Sequence, residues 1–266
     1  MGRIIALANH KGGVGKTTSV ASIGAVLSNT HKVLMIDLDA QANLTTSFLQ
    51  EEQEETIYGA FKGNALPIVN IKENLDIVPS SLEMAGIELE ISGRMQREYI
   101  LKDLIEPIAD QYDYILLDCP PSLGLVTINA FVSATELFIP LTAEALPSKG
   151  LTMLMDILAM VQKRLNKEIN LAGIIITRYE KSKLSQMVEE SLRDNFGEIV
   201  FKTRIRKNVA IAEAPLYTES VISYAPNSNG TQDYTELTAE IEAMKNSIIS
   251  SIGSNGSIDI KENNKI

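Results

Sequence analysis

The sequence predicts an α/β fold in which a mostly parallel, twisted sheet carries helices on both faces. The first observation is that short, continuously apolar runs alternate with helix-compatible segments, which is typical of strands buried on both sides. The second is that the first run leads into a glycine-rich turn and that later runs end in aspartate. Polar groups at the carboxyl ends of parallel strands mark the edge of the sheet where ligands bind, and the crossovers should be right-handed.

Composition restricts the classes of function. The 266-residue chain is 45% hydrophobic, which is ample for a packed core, and its net charge is −10. A molecule this acidic does not attract nucleic acid as a whole, so DNA contacts would have to come from a local basic patch. Cys119 is the only cysteine, which excludes an intrachain disulfide. No apolar run approaches the ~18 residues of a membrane span and no cleavable signal pattern is visible, which favours a cytoplasmic protein.

The elements follow from periodicity and from proline and glycine positions. Apolar runs predict strands at 4–8, 32–37, 75–79, 114–118, 136–141, 171–177 and 199–203. Helices are predicted at 19–27, 82–91, 98–108, 122–133, 148–165, 182–196, 207–213 and 231–249, with short helices and turns over 44–67. Without an internal repeat or linker, residues 1–250 are predicted to form a single domain. Residues 251–266 are rich in Ser, Gly and Asn and are predicted to be a disordered tail.

A glycine-rich segment, His10 to Thr18, joins the first strand to the first helix. Its glycines let the backbone adopt conformations closed to other residues and approach an anion. The N–H groups of such a loop and the positive end of the helix dipole then point at phosphate oxygens. These features predict a phosphate-binding loop in a P-loop NTPase-like fold, in which Lys16 would reach the β- and γ-phosphates and the Thr17 hydroxyl would bind Mg²⁺.

Three aspartates stand at or just after predicted strand ends: Asp37, Asp39 and Asp118. An apolar run that ends in Asp places a carboxylate near the metal bound by the loop's hydroxyl. Asp118 is the better Mg²⁺ candidate, acting through bound water because Mg²⁺ keeps several waters. Of Asp37 and Asp39, one can serve the outer metal shell while the other orients an attacking water, and the residues alone leave this choice open.

The glycine loop has His10 where the general pattern has glycine, and it carries a second lysine, Lys11. In this it resembles the deviant Walker A loop of the ParA/MinD group of ATPases. Residues 38–43 and 118–122 resemble the group's D-x-D-P-Q-x-N and D-x-P-P-S segments, with Ala40 where proline is usual. The resemblance runs from residue 3 to about residue 245, with motif order and spacing maintained.

The resemblance implies a single ATPase domain of the ParA/Soj type that uses ATP and Mg²⁺. It further implies a homodimer in the ATP-bound state, non-specific DNA binding, nucleoid association, and stimulation by a ParB-type centromere-binding partner. Lys11 matches the signature lysine that reaches the partner subunit's phosphates, and Asp39 matches the acid that supports hydrolysis. The candidate catalytic residues are therefore Lys11, Lys16 and Asp39. The candidate ATP-binding residues are Lys11, Gly12, Gly13, Val14, Gly15, Lys16, Thr17 and Thr18, and the candidate metal residues are Thr17, Asp118 through water, and Asp37 in the outer shell.

Three later segments carry further resemblance, and one of them, residues 224–230, resembles a family loop near the adenine. Residues 173–179 resemble the strand whose end approaches adenine, and residues 205–215 resemble the I-P-R-N-V…A-E-A-P loop, with Arg206 and Lys207 where proline and arginine are usual. The candidates on the adenine side are Thr177, Asn208 and Pro226.

The segment from residue 178 to residue 207 has eight basic and five acidic side chains, a net charge of +3 that leaves −13 for the rest. Such polarity would let one face bind DNA phosphates without sequence preference and in a salt-sensitive way. An ordinary solvated surface of mixed charge is the alternative. The candidate DNA contacts are Lys202, Arg204, Arg206 and Lys207.

Two other classes of protein have a glycine loop of this type. A MinD-type positioning ATPase, which would not bind DNA, ends in a basic amphipathic helix on the membrane. Residues 256–266 are polar without a wide apolar face, so we expect no membrane partner. A nitrogenase-type iron protein needs two cysteines per chain for a bridging cluster, and Cys119 stands alone. We expect Cys119 to be a small apolar filler rather than a nucleophile.

Overall fold

The computed structural model describes residues 2–144 and 149–251. Over these residues the chain forms one eight-stranded sheet. Its strands are β1 (Arg3–Leu7), β2 (Val33–Asp37), β3 (Val69–Lys72), β4 (Leu75–Val78), β5 (Tyr114–Asp118), β6 (Glu136–Thr142), β7 (Asn170–Tyr179) and β8 (Val200–Arg206). They lie in the order β3-β4-β2-β5-β1-β6-β7-β8, and all neighbours are parallel except β3 and β4. The predicted mostly parallel sheet is confirmed.

Helices cover both faces of the sheet. They are α1 (Lys16–Leu27), α2 (Asn43–Thr46), α3 (Ile57–Lys62), α4 (Ile87–Ile91), α5 (Ile100–Ile105), α6 (Leu125–Ser133), α7 (Lys149–Arg164), α8 (Lys183–Phe196), α9 (Val209–Glu213), α10 (Val221–Tyr224) and α11 (Asn229–Ser251). Because side chains alternate along a strand, Ile4 and Ala6 of β1 join the core beneath α3 to α8. Ile5 and Leu7 join the core beneath α1 and α11.

The structure corrects several predicted boundaries. The strand β3 is missing from the prediction because it is a four-residue, partly exposed edge strand with polar Asn70 and Lys72 in it. The helix predicted at 82–91 is a 3₁₀ turn (Leu82–Gly86) followed by α4, and the one at 98–108 is α5 followed by a second 3₁₀ turn. The helix predicted from 122 begins at Leu125, after a loop that contains two prolines.

Part of the domain prediction lies outside the described residues. Residues 252–266 of the predicted tail, including the segment used to argue against a membrane-binding helix, are not among them, nor is residue 148 at the start of a predicted helix. The division at residue 250 therefore stays a prediction. Within the described ranges no helix combines the length and apolarity that crossing a bilayer requires.

The outer edge of β8 is covered by two carboxylates from α11. Glu240 accepts the backbone N–H groups of Lys202 (2.9 Å) and Thr203 (2.7 Å). Asp233 accepts the backbone N–H of Arg206 (2.8 Å). These bonds satisfy amides that an edge strand otherwise presents to solvent or to another chain, and they tie α11 to the sheet.

A buried ion pair links the first residues of β1 and β6. The Arg3 guanidinium donates two hydrogen bonds to the Glu136 carboxylate, 2.6 Å and 2.5 Å long, and a third to the backbone carbonyl of Ile241 (2.6 Å). The two side chains are only 10% and 5% exposed. Removing Arg3 would therefore leave a buried carboxylate without its counter-charge.

We expect Arg3→Ala to lower the free energy of unfolding by about 3–5 kcal/mol, because breaking a buried pair leaves an uncompensated charge. Urea denaturation followed by circular dichroism measures the change. The matched control is Lys62→Ala, which removes a cation from the half-exposed pair between Lys62 and Glu90. That loss should be much smaller, because solvent screens an exposed ion pair. Equal losses of unfolding free energy in the two variants would show that burial does not make the Arg3–Glu136 pair more important for stability.

Candidate active site

The glycine loop wraps from the end of β1 to the start of α1 in a conformation that glycine permits. Gly13 has φ +71° and Gly15 has φ +90°, both in the left-handed region where a side chain is strained. A Cβ atom built on Gly12 or Gly13 would meet no protein atom within 4 Å. The glycines at 13 and 15 thus serve backbone conformation, and the open space before Gly12 and Gly13 is accessible to a ligand.

Two side chains from outside the loop hold it in place. Asn9 accepts the backbone N–H of Lys11 (3.0 Å) and donates to the carbonyl of Pro140 on β6 (2.6 Å). The Thr177 hydroxyl at the end of β7 donates to the carbonyl of Val14 (2.8 Å). The role of Asn9 was missed in the sequence, although an asparagine two residues before a turn amide is a typical Asx-turn signal. The loop is therefore fixed by its neighbouring strands before any ligand arrives.

A cleft of about 840 Å³ opens at the carboxyl edge of the sheet in front of this loop. That volume lies within the range of small-molecule sites. Its floor contains six residues of the glycine loop, and its walls include residues that follow β2 and residues of the segment 205–221. The predicted site residues that line it are Gly12, Gly13, Gly15, Lys16, Thr17, Thr18, Asp39, Thr177, Arg206, Lys207 and Asn208.

Among the described residues, the cleft lining does not include seven of the predicted site residues: Lys11, Val14, Asp37, Asp118, Lys202, Arg204 and Pro226. Pro226 is exposed and is not among the described residues that line the cleft. Lys11 is exposed near the start of the glycine loop and does not line the cleft. Lys16 lines the cleft and is only 7% exposed. The two lysines therefore face different surroundings. Val14 is buried beneath the loop, where its carbonyl accepts the bond from Thr177.

Asp118 at the end of β5 is a buried carboxylate that lacks a well-formed hydrogen bond. It is 1% exposed, and neither of its oxygens accepts a hydrogen bond of ordinary geometry from the described residues. Burial raises the pKa of Asp118 well above its usual value, and the neighbouring Asp37 adds to this, while the Thr17 hydroxyl and the charge of Lys16 lower it. The site thus presents an unsatisfied carboxylate next to the predicted metal-binding hydroxyl.

Asp37 is adjacent to Asp118 across β2 and β5 but differs in its bonding. Its carboxylate accepts the N–H of Asp39 (3.1 Å) and both the N–H (2.9 Å) and the hydroxyl (2.8 Å) of Thr45. Burial raises the pKa of Asp37 to about 6, against the lowering effect of the Thr45 bonds. Asp37 thus holds the loop that follows β2. Thr45 was missed because nothing local in the sequence marks it.

Asp39 lies beyond the end of β2, so it does not share a strand face with Asp37. It is half-buried and lines the cleft, and its Oδ1 accepts the backbone N–H of Gln41 (3.0 Å). Of the two acids that the sequence could not separate, Asp37 is enclosed by protein groups and Asp39 faces the space open to a ligand. The geometry therefore favours Asp39 for contact with a reacting water.

The donor set at the cleft fits a magnesium ion carried by a nucleotide. Across residues 2–144 and 149–251, no group of three or more His, Cys, Asp or Glu side chains is arranged to hold a metal by itself. Mg²⁺ typically takes one or two protein oxygens and completes its shell with phosphate oxygens and water. The Thr17 hydroxyl and the unsatisfied Asp118 carboxylate provide such a pair.

The predicted DNA-contact residues differ in their ion pairs. Arg204 pairs with Glu189 (2.8 Å), Arg206 with Asp233 (2.5 Å) and Lys207 with Glu180 (2.8 Å). Lys202 is exposed on β8 and has no ion pair within the part of the chain that the structure describes. Burial raises the pKa of the Cys119 thiol, which keeps it protonated, in agreement with a filling rather than a reactive role.

Comparison with known proteins places this site in context. The AAA domain family profile matches residues 2–171. The chain is 39% identical over 251 residues to the sporulation initiation inhibitor protein Soj of Bacillus subtilis, covering 91% of this chain and 99% of that protein. It is 37% identical over 249 residues to the chromosome-partitioning ATPase Soj of Treponema pallidum, covering 91% and 98%. Cobyrinic acid a,c-diamide synthase from Mycobacterium smegmatis, solved with an ATP analogue and magnesium, has a TM-score of 0.83 at 30% identity, covering 93% of this chain and 96% of that one.

Proposed function

The chain belongs to the ParA/Soj family of chromosome-partitioning ATPases, and on that premise we propose that it works as an ATP-driven dimerisation switch in DNA segregation. It is an ATPase, and its cofactors are ATP and Mg²⁺. The observation that carries the proposal is the different placement of its two loop lysines. Lys16 is buried in its own cleft, whereas Lys11 is exposed at the mouth, where it can serve the cleft of a second copy.

Residues in and behind the cleft have separate proposed roles in hydrolysis. The loop N–H groups and Lys16 bind the triphosphate and orient it, while Thr17 and Asp118 would hold the metal. Mg²⁺ held there would neutralise negative charge on the triphosphate. Asp39 orients the attacking water in line with the γ-phosphate, which is the main requirement because catalysis of this reaction consists largely of positioning. Asp37 stays in the outer shell and holds the loop that carries Asp39.

The adenine base of ATP is proposed to bind along the cleft wall that is built from residues at the ends of β7 and β8. Thr177 and Asn208 line this wall. The Asn208 side chain accepts the backbone N–H of Ala210 (2.9 Å) at the start of α9, and the Thr177 hydroxyl is engaged by the loop. These contacts fix both residues in place. Pro226 would approach the adenine base only after a movement of its loop.

In the proposed cycle two ATP-bound copies associate, with the Lys11 amine of each reaching the triphosphate of the other. The dimer binds DNA without sequence preference on the basic segment 178–207, and we place it on the nucleoid in the cytoplasm. A ParB-type centromere-binding partner then stimulates hydrolysis and releases the dimer from DNA. A single ATPase domain over residues 1–250 is enough for these steps, and no membrane is involved.

DNA binding compared across nucleotide states tests this cycle. We expect binding to a random-sequence duplex with ATP and Mg²⁺, and none with ADP or without nucleotide. If the two copies contribute about eight phosphate contacts, the affinity should fall by roughly 10³-fold or more between about 50 mM and 200 mM salt, because each contact releases a counterion. Fluorescence anisotropy of a labelled duplex measures both effects. Equal binding with ADP would overturn the switch.

Lys202→Ala locates the DNA surface. We expect the slope of log affinity against log salt to fall by about 2 per dimer, since one phosphate contact is lost from each copy. Lys72→Ala is the matched control, because it removes the same charge from β3 at the opposite edge of the sheet and should leave the slope unchanged. The same change of slope in both variants would show that net charge, and not the β8 surface, governs binding.

A further inference from the structure

The helix α6 begins without a capping side chain of its own. Its N-cap residue is Gly124, and no side chain within the helix's first turn or its N-cap accepts the early amides. Instead Glu88 of α4, distant in sequence, accepts the backbone N–H of Val126 (3.1 Å). A carboxylate at this position satisfies an otherwise unpaired helical amide and also interacts favourably with the positive end of the helix dipole.

The contact between α4 and α6 depends on the glycine at position 124. A Cβ atom added to Gly124 would lie 2.3 Å from Oε1 and 2.5 Å from Oε2 of Glu88. The backbone angle φ of Gly124 is −91°, a value open to any residue, so conformation does not require glycine here. The absence of a side chain at Gly124 is what lets the Glu88 carboxylate approach the helix.

This contact fixes one end of the 119–124 loop, which starts directly after Asp118. The other end is held by the N–H of Cys119 bonding to the carbonyl of Leu7 (3.2 Å), and the Thr127 hydroxyl bonds back to the carbonyl of Ser122 (2.6 Å). Pro121 of the loop lines the nucleotide cleft. The start of α6 is thus connected, through six residues, to both the candidate metal carboxylate and the wall beside the triphosphate.

We propose that Glu88 is a positioning residue for ATP hydrolysis, which holds the start of α6 and thereby sets the 119–124 loop against the bound triphosphate. The proposal rests on the proposed ATPase site and deepens it. Glu88 touches no substrate itself. Its effect should therefore appear in the rate of the chemical step and not in nucleotide affinity, since a misplacement on the order of 1 Å is enough to slow a reaction that depends on alignment.

Steady-state hydrolysis by the full chain tests this role. We expect Glu88→Ala to lower kcat by about 10-fold to 100-fold, while the affinity for a fluorescent ATP analogue changes by less than about 2-fold. Glu88→Gln keeps the length of the side chain and an acceptor oxygen, and it should restore most of the lost kcat. Hydrogen exchange of the backbone amides of Cys119 and of residues 122–126 should be faster in Glu88→Ala than in the wild type.

The chain supplies two matched controls. Glu90→Ala removes the next acid on α4, which bonds to Tyr58 and Lys62 at the surface, and it should leave kcat unchanged. Gly124→Ala leaves Glu88 in the sequence but displaces its carboxylate, so it should reproduce the lower kcat. The double variant Glu88→Ala/Gly124→Ala should be no slower than the slower single variant, because both changes break one contact. Gly124→Ala also provides the test if Glu88→Ala does not fold.

Several results would overturn the proposal. They are wild-type kcat in Glu88→Ala, Glu88→Gln as slow as Glu88→Ala, or a loss of kcat that is matched by equal losses of nucleotide affinity and of unfolding free energy. Failure of the proposed switch is distinguishable from these. It would appear in the wild type itself, as missing ATP-dependent dimerisation or DNA binding, whatever the Glu88 variants do.

Discussion

Replacing Asp39 with alanine is expected to lower ATP hydrolysis by roughly 10²-fold to 10⁴-fold, the range for loss of a group that positions or deprotonates the nucleophile. ATP binding should persist, because the glycine loop, Lys16 and Thr17 remain in place. An ATP-bound dimer that cannot hydrolyse its nucleotide should then accumulate. Phosphate release measures the first effect, and light scattering after gel filtration with ATP and Mg²⁺ measures the second.

The surroundings of Asp39 and Asp37 explain why the larger effect is expected at Asp39. Asp39 lines the cleft, and its Oδ1 accepts the backbone N–H of Gln41. Asp37 instead accepts the backbone N–H of Asp39 and both the N–H and the hydroxyl of Thr45 in α2. The matched control is Asp103→Ala, which removes an exposed acid on α5 away from the cleft and should change neither readout. An Asp39→Ala protein that hydrolyses ATP at the wild-type rate would show that another group positions the water.

Lys11→Ala is expected to abolish ATP-dependent dimerisation while each copy still binds ATP. Truncating one member of a desolvated charge contact at an interface costs about 2–5 kcal/mol, which weakens the dimer by roughly 30-fold to several thousand-fold. Mass photometry with ATP and Mg²⁺ measures the dimer fraction, and fluorescent-analogue titration measures nucleotide affinity. Introducing Lys11→Ala together with Asp39→Ala removes hydrolysis as a cause of the loss.

Lys16→Ala provides the contrast to Lys11→Ala. Lys16 is buried in its own cleft, so its removal should abolish nucleotide binding itself. Loss of monomer nucleotide affinity to the same extent in Lys11→Ala would place Lys11 in its own subunit's site and contradict the exchange between copies. A wild-type protein whose dimerisation does not respond to ATP would remove the switch altogether.

The features that the sequence predicted well are those with a local signal. A buried strand such as β5 is a continuous apolar run, and the glycine loop carries its conformation in its own residues, as the left-handed Gly13 and Gly15 illustrate. The site as a set of named residues stays a prediction, although the fold brings Thr17, Asp39 and Asp118 to one edge of the sheet.

The features that escaped prediction depend on contacts between distant parts of the chain. Nothing near Glu88 indicates that it caps α6, and nothing near Thr45 indicates that it binds Asp37. The strand β3 lacks a hydrophobic run because it lies at the edge of the sheet. The choice between Asp37 and Asp39 depended on where β2 ends, which a two-residue spacing could not decide.

The carboxylates of α11 that bind the β8 amides also bear on how copies of this protein can associate. With Glu240 and Asp233 occupying those donors, one molecule cannot extend its sheet through β8 into that of the next. The proposed reversible pairing at the nucleotide would thereby be kept separate from strand-to-strand polymerisation. Any shortened form of the chain that lacks α11 would bare these amides, and it should form fibrous or amorphous aggregates at concentrations where the intact protein remains dispersed.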